Sequence, residues 1–224
     1  MTEPHSPPDR PAIAPALFLF SLIYGGMTVL AGVLGNKQVA LGPLAVEAGI
    51  FAFLMLVALS SAVAELYGRA IANKLVLWGF VPLVTSMLLI LLVLGIPAAE
   101  AMERERLEAF NIILGQSPRL MAAGIVAYGT SQLLNVTIFS ALRGKDAEQR
   151  TGWLAVRGAI ASALSQIVDT LLFIGIAFYG VFPIGQLMAG QMIAKVVLSL
   201  VLIPFVITGL VAFGRGFDAG RWKA

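Results

Sequence analysis

Six long stretches in which apolar residues run almost without interruption dominate the pattern of this chain: about 16–34, 44–66, 75–96, 119–141, 154–180 and 184–213. Each is bounded by charge, proline or glycine, and each reaches the roughly 20 residues that a helix needs to cross a bilayer. In lipid the backbone must satisfy its own hydrogen bonds, so uninterrupted runs of this length predict helices. The expectation is an all-α membrane protein, a six-transmembrane-helix bundle. Between the third and fourth runs, Met102, Leu107, Phe110, Ile113 and Leu114 form a loose apolar stripe opposite Glu103, Arg104, Glu105 and Glu108. That segment reads either as a helix lying at the membrane interface or as a solvated helical loop. Residues 1–15 hold five prolines in a polar setting and predict a disordered cytoplasmic tail. Residues 16–214 are then the transmembrane domain and 215–224 a basic cytoplasmic tail.

Composition agrees with the pattern. The 224 residues are 59% hydrophobic and 12% charged, against about 45–50% and about 25% in soluble domains, and the mean hydropathy is +0.92. There is no cysteine and the sole histidine is His5, which excludes disulfides, thiol nucleophiles and any His-based triad, haem or metal site within the membrane. The formal net charge is +3 and the pI about 9.4, yet the cations lie between apolar runs and read as topology signals rather than a nucleic-acid surface. No Gly-rich Lys-Ser/Thr loop and no Arg-rich fourth span occurs, so ATP-driven pumping by this chain alone and voltage sensing are unsupported.

Orientation follows from the positive-inside rule. An internal N-terminus puts Arg10, Arg69, Lys74, Arg143, Lys145, Arg150, Arg157, Arg215, Arg221 and Lys223 inside, and Lys37, Arg104, Arg106 and Arg119 outside. With six spans, both termini are then expected in the cytoplasm.

Polar residues inside the spans are the candidate chemistry, because an ionisable group at the bilayer centre costs about 2.5–3.5 kcal/mol on insertion scales and normally faces a partner or a wet cavity. In the fifth span Ser162, Ser165, Gln166, Asp169 and Phe173 recur at helical spacing on one face. The fourth carries Tyr128, Ser131, Gln132, Asn135 and Phe139 in the same way. Written out, SQLLNVTIF and SQIVDTLLF echo one another on consecutive, hence antiparallel, helices, as an inverted repeat would; interhelical hydrogen bonding is the plainer reading of the serines. Lys195 lies too deep in the sixth span for easy snorkelling, which predicts pairing with Asp169 or Glu65. Glu65 also has Arg69 one turn on, an i, i+4 pair that suffices to explain it, and Gly68 would end that helix. Asn36 and Lys37 sit at the outer end of the first span near Glu47, as ligand contacts or as an interfacial turn.

These segments resemble the queuosine precursor transporter family, also called the vitamin uptake transporter family: GNKQV, SSAVAELYGR, SQLLNVTIFSALRG, RGAIASALSQIVDTLLFIGIAFYG and AKVVLSLVLIPF, in that order. The resemblance implies a six-helix inner-membrane importer of 7-deazaguanines such as 7-cyano-7-deazaguanine, 7-aminomethyl-7-deazaguanine or queuine. It marks Asn36, Lys37, Glu65, Asn135, Asp169 and Lys195 as positions to watch. Ser61 and Asn135 stand where the family usually has Asp, so the resemblance does not select the cationic aminomethyl compound. A deazaguanine presents adjacent N–H donors and a carbonyl acceptor, which a carboxylate with an amide or ammonium can match. The expected substrate-binding set is Asp169, Gln166, Asn135, Gln132, Lys195, Asn36, Lys37, Glu65 and Phe173, with stacking from Phe173, Phe139 or Tyr128. No metal, cofactor or covalent chemistry is expected; the partners are a nucleobase-like small molecule and the bilayer, and glycines such as Gly25, Gly26 and Gly32 permit a homodimer. The alternative is the substrate-binding component of a vitamin uptake system with a separate energising module.

Overall fold

The computed structural model describes residues 13–42, 44–115, 118–143, 151–180 and 184–220. The N-terminal tail before residue 13, with Arg10, lies outside the described residues, as do Lys145, Arg150, Arg221 and Lys223. In chain order the elements are α1 (Pro15–Leu34), β1 (Gln38–Leu41), β2 (Leu44–Glu47), α2 (Gly49–Tyr67), α3 (Arg69–Trp78), α4 (Phe80–Leu94), α5 (Arg104–Leu114), α6 (Pro118–Ala141), α7 (Thr151–Phe178) and α8 (Gly185–Asp218). Among the described residues six helical stretches are long and apolar enough to cross a membrane, α3 and α4 counting together as one. The expected six-span bundle is present.

Three departures from the sequence pattern have local causes. The apolar run expected to open the second span at 44 begins with a strand: β1 and β2 form an antiparallel hairpin in register Gln38↔Glu47 to Leu41↔Leu44. Gly42, at φ +60°, takes the left-handed turn that closes it. The third span starts earlier than expected because Gly68, at φ +89°, ends α2 as anticipated and lets α3 begin at once. Gly79 then joins α3 to α4 where a Cβ would lie 2.3 Å from the Tyr128 hydroxyl and 2.7 Å from the Tyr24 ring. Those two tyrosines are hydrogen-bonded, Tyr128 Oη to Tyr24 Oη at 3.0 Å. Only glycine lets the junction pass so close to them.

The segment between the third and fourth spans is helical over α5, as both of its readings required, with Met102 outside the helix. Its last residues, Ile113 and Leu114, reach a cavity rather than solvent alone. The helix α8 runs on to Asp218, into the segment expected as a basic tail.

The bundle has two distinguishable ends. Ala16 N–H donates to Asp218 Oδ1 at 2.9 Å and Tyr67 Oη donates to Asp218 Oδ2, which ties the start of α1, the end of α2 and the end of α8 together; we call this the terminal end. The opposite, hairpin end carries β1, β2 and α5. Helix α2 is the hub, packed on α1, α3, α6, α7 and α8, and buried along most of its length including Ser60, Ser61, Ala62 and Ala64. Small side chains there let helices approach closely, which is how helices associate when lipid removes the hydrophobic drive. Helix α4, by contrast, buries no residue, as suits a face turned to lipid.

Candidate functional site

A cavity of about 230 Å³ lies on the hairpin side of the bundle, walled by α1, β2, α2, α4, α5, α6, α7 and α8. Most of its lining is aliphatic, with Phe53, Phe173 and Phe178 as rings and Asn36, Glu47, Asp169 and Lys195 as its strongest polar groups. Lys195 Nζ is 2.9 Å from Asp169 Oδ2, and Ser131 Oγ donates to Asp169 Oδ1 at 3.2 Å. The Lys195 ammonium also stands 5.8 Å from the Phe53 ring centroid, within cation–π range. Asp169 is nine residues from the end of α7 and Lys195 ten from the start of α8, so at 1.5 Å per residue both sit about 14–15 Å in, near the middle of a core about 30 Å thick. The pair that residue depth predicted is formed, and it faces the cavity.

The hairpin brings in a residue outside the expected set. Glu47 ends β2, joins the same cavity wall, and its carboxyl is held above the ordinary value of 4.5 by burial, pulled down by Lys195 and pushed up again by Asp169. With a folded pKa raised above the unfolded one, the stability Glu47 contributes is fully present below pH 4.5 and is lost as pH rises through the folded pKa. Unfolding temperature in detergent should therefore fall as pH rises from 4.5 toward neutrality, and the fall should be shallower for Glu47→Gln. Identical slopes would show that Glu47 stays ionised.

The other expected residues divide. Asn36 lines the cavity while its Nδ2 donates back to Gly32 and Val33 carbonyls at 3.3 and 3.2 Å, capping α1. Phe173 lines it too, edge-on to Phe178 at 6.2 Å between centroids. Lys37 is exposed and does not line it. Gln132, Asn135 and Gln166 are fully buried but lie outside the cavity wall, toward the terminal end. There Ser60 Oγ donates to Gln132 Oε1 at 3.2 Å, and Asn135 Nδ2 donates to Ser61 Oγ at 3.0 Å. Ser61 and Asn135, the two positions singled out by the resemblance, thus touch one another in a neutral, hydrogen-bonded arrangement. Tyr128 is occupied by Tyr24, and Phe139 lies under a guanidinium instead of facing the cavity.

Glu65 finds a different partner from the local one. It pairs with Arg157 of α7 and approaches Arg215 at 3.7 Å, while Arg69 donates to Thr137 Oγ1 at 3.1 Å. Arg157, expected only as a topology cation, is 1% exposed with its guanidinium carbon 4.3 Å from the Phe139 centroid. Glu47, Phe53, Phe178 and Arg157 were not legible as site residues. The first ends a strand hidden in an apolar run, and the two rings sit among other apolar residues; only the position of Arg157 inside a span was a signal.

Six helices long and apolar enough to cross a membrane thus surround a cavity whose wall carries the Asp169–Lys195 ion pair. The chain belongs to the family described as "putative vitamin uptake transporter", whose profile matches residues 47–209. It is 36% identical over 120 residues to a protein of Bacillus subtilis (strain 168) named "probable queuosine precursor transporter"; the match spans 53% of this chain and 50% of that relative. No solved structure matches the chain significantly.

Proposed function

We propose that this protein imports a 7-deazaguanine precursor of queuosine across the inner membrane, binding it in the cavity against Asp169 and Lys195. The observation that carries the reading is that ion pair, placed at midplane in the wall of an otherwise apolar, aromatic-lined cavity. A carboxylate accepts two hydrogen bonds side by side and an ammonium donates only, so Asp169 suits the ring N–H and exocyclic NH2 of a guanine-like edge and Lys195 its carbonyl. Phe53, Phe173 and Phe178 offer faces or edges to a flat ring. The family and the Bacillus relative support the same solute class. With both termini cytoplasmic, the hairpin end faces outward and the cavity receives solute from outside; no chemical step on the solute is part of the reading.

Cells unable to make deazaguanines, given this chain as the only added protein, should accumulate labelled 7-cyano-7-deazaguanine or queuine. Accumulation only when an ATP-driven module is added would overturn autonomous import in favour of a binding component. No accumulation in either case would overturn the solute.

A further inference from the structure

Between the cavity and the terminal end lies a second layer of polar side chains, fully buried. Since Ser131 meets Asp169, the antiparallel α6 and α7 bring Asn135 level with Ser165 one turn further on. Along α7, at 1.5 Å per residue, Gln166 lies about 4–5 Å beyond Asp169 toward the terminal end, Ser162 about 10 Å and Arg157 about 18 Å. Across these levels Gln132 Nε2, Asn135 Oδ1, Gln166 Nε2 and Oε1, and Ser162 Oγ have no hydrogen-bond partner among the described residues. Ser199 Oγ, one turn beyond Lys195 on α8, is in the same position. All five of these residues are fully buried. Proteins pair about 90% or more of their buried polar groups, and an orphan costs about 1–3 kcal/mol. A group of them between two ion pairs is unusual for helix packing and would be satisfied by a polar occupant, a solute or water.

The layer ends at Arg157, held by Glu65 and stacked on Phe139. The cavity ends in the same combination: Lys195, held by Asp169 and placed over Phe53. Each half of the bundle therefore carries a carboxylate, a buried cation and a ring. The orphan atoms between them are amide donors and amide and hydroxyl acceptors, with no charge; at the layer's end Arg157 Nε and Nη1 also lack a hydrogen-bond partner among the described residues, the guanidinium charge being offset by Glu65.

We propose that Gln132, Asn135, Ser162 and Gln166 form a second binding site, for an uncharged solute with adjacent hydrogen-bond donors and acceptors, which opens to the terminal end when Glu65 and Arg157 part. The identity of the solute rests on the deazaguanine reading; the existence and opening of the site do not.

The natural absence of cysteine makes the test direct. A membrane-impermeant maleimide is applied from each side to single-cysteine variants Gly124→Cys, in the cavity wall, and Ser162→Cys and Asn135→Cys, in the layer. Gly124→Cys should react from one side only, and the layer cysteines only from the other. Adding Glu65→Gln with Arg157→Gln, which removes both charges and leaves neither partner stranded, should speed the layer reaction at least tenfold. Layer cysteines that stay inert from both sides, in both backgrounds, while Gly124→Cys still reacts would overturn the proposal and leave the layer as helix packing. Reaction of all positions from the same side would overturn it as well. If the layer reacts as expected but 7-cyano-7-deazaguanine protects no position, the site stands and the solute assignment fails.

Discussion

Replacing Asp169 with Asn should lower uptake at least 100-fold while the protein continues to insert. The amide keeps the shape but offers one acceptor where the carboxylate offered two, and its NH2 opposes the donors of a guanine-like edge. A 100-fold loss corresponds to about 2.7 kcal/mol, within what a charge-assisted bidentate contact supplies together with the ordering of Lys195. The substitution also strands the Lys195 ammonium, which sits 2.9 Å from Asp169 Oδ2, and breaking a buried pair by removing one partner costs about 3–5 kcal/mol. Binding and folding are separated by the double variant Asp169→Asn with Lys195→Gln. It should recover expression and thermal stability toward the wild type, since no charge is left unpaired, yet remain without uptake. Uptake that survives Asp169→Asn would make the pair a structural one.

Glu65→Gln should be the most destabilising single change at the terminal end. It leaves Arg157, 1% exposed, without a carboxylate, at a cost of about 3–5 kcal/mol. For a protein of this size that amounts to a fall of about 10 °C or more in unfolding temperature in detergent. The companion Glu65→Gln with Arg157→Gln should regain most of the loss. Arg215→Gln should change little: its side chain is 66% exposed, and exposed ion pairs contribute about 0–1 kcal/mol. A wild-type unfolding temperature for Glu65→Gln would show that Phe139 alone holds the guanidinium.

The spans were legible because a bilayer imposes one length and one composition on every helix that crosses it. The Asp169 and Lys195 pairing was legible for a related reason: two opposite charges at the same depth in lipid have few alternatives. The destination of Gln132, Asn135 and Gln166 was not. Helical spacing shows that they share a polar face, but that face serves the cavity at the level of Asp169 and the buried layer one turn beyond. Glu65 shows the same limit from the other side, since Arg69 is near in sequence while Arg157 is 92 residues away. The hairpin was hidden because its strands are four residues each and its second strand is continuous in hydropathy with α2. With the hairpin went Glu47, which the structure adds to the cavity wall.

Whether Asp169 and Lys195 read a guanine-like edge is tested most directly by a competition series against uptake of labelled 7-cyano-7-deazaguanine. Unlabelled 7-deazaguanines and guanine, which share the adjacent donors and the carbonyl, should compete, whereas adenine, which lacks that arrangement, should not. Equal competition by adenine would show that the cavity selects only a flat ring, and would contradict the account.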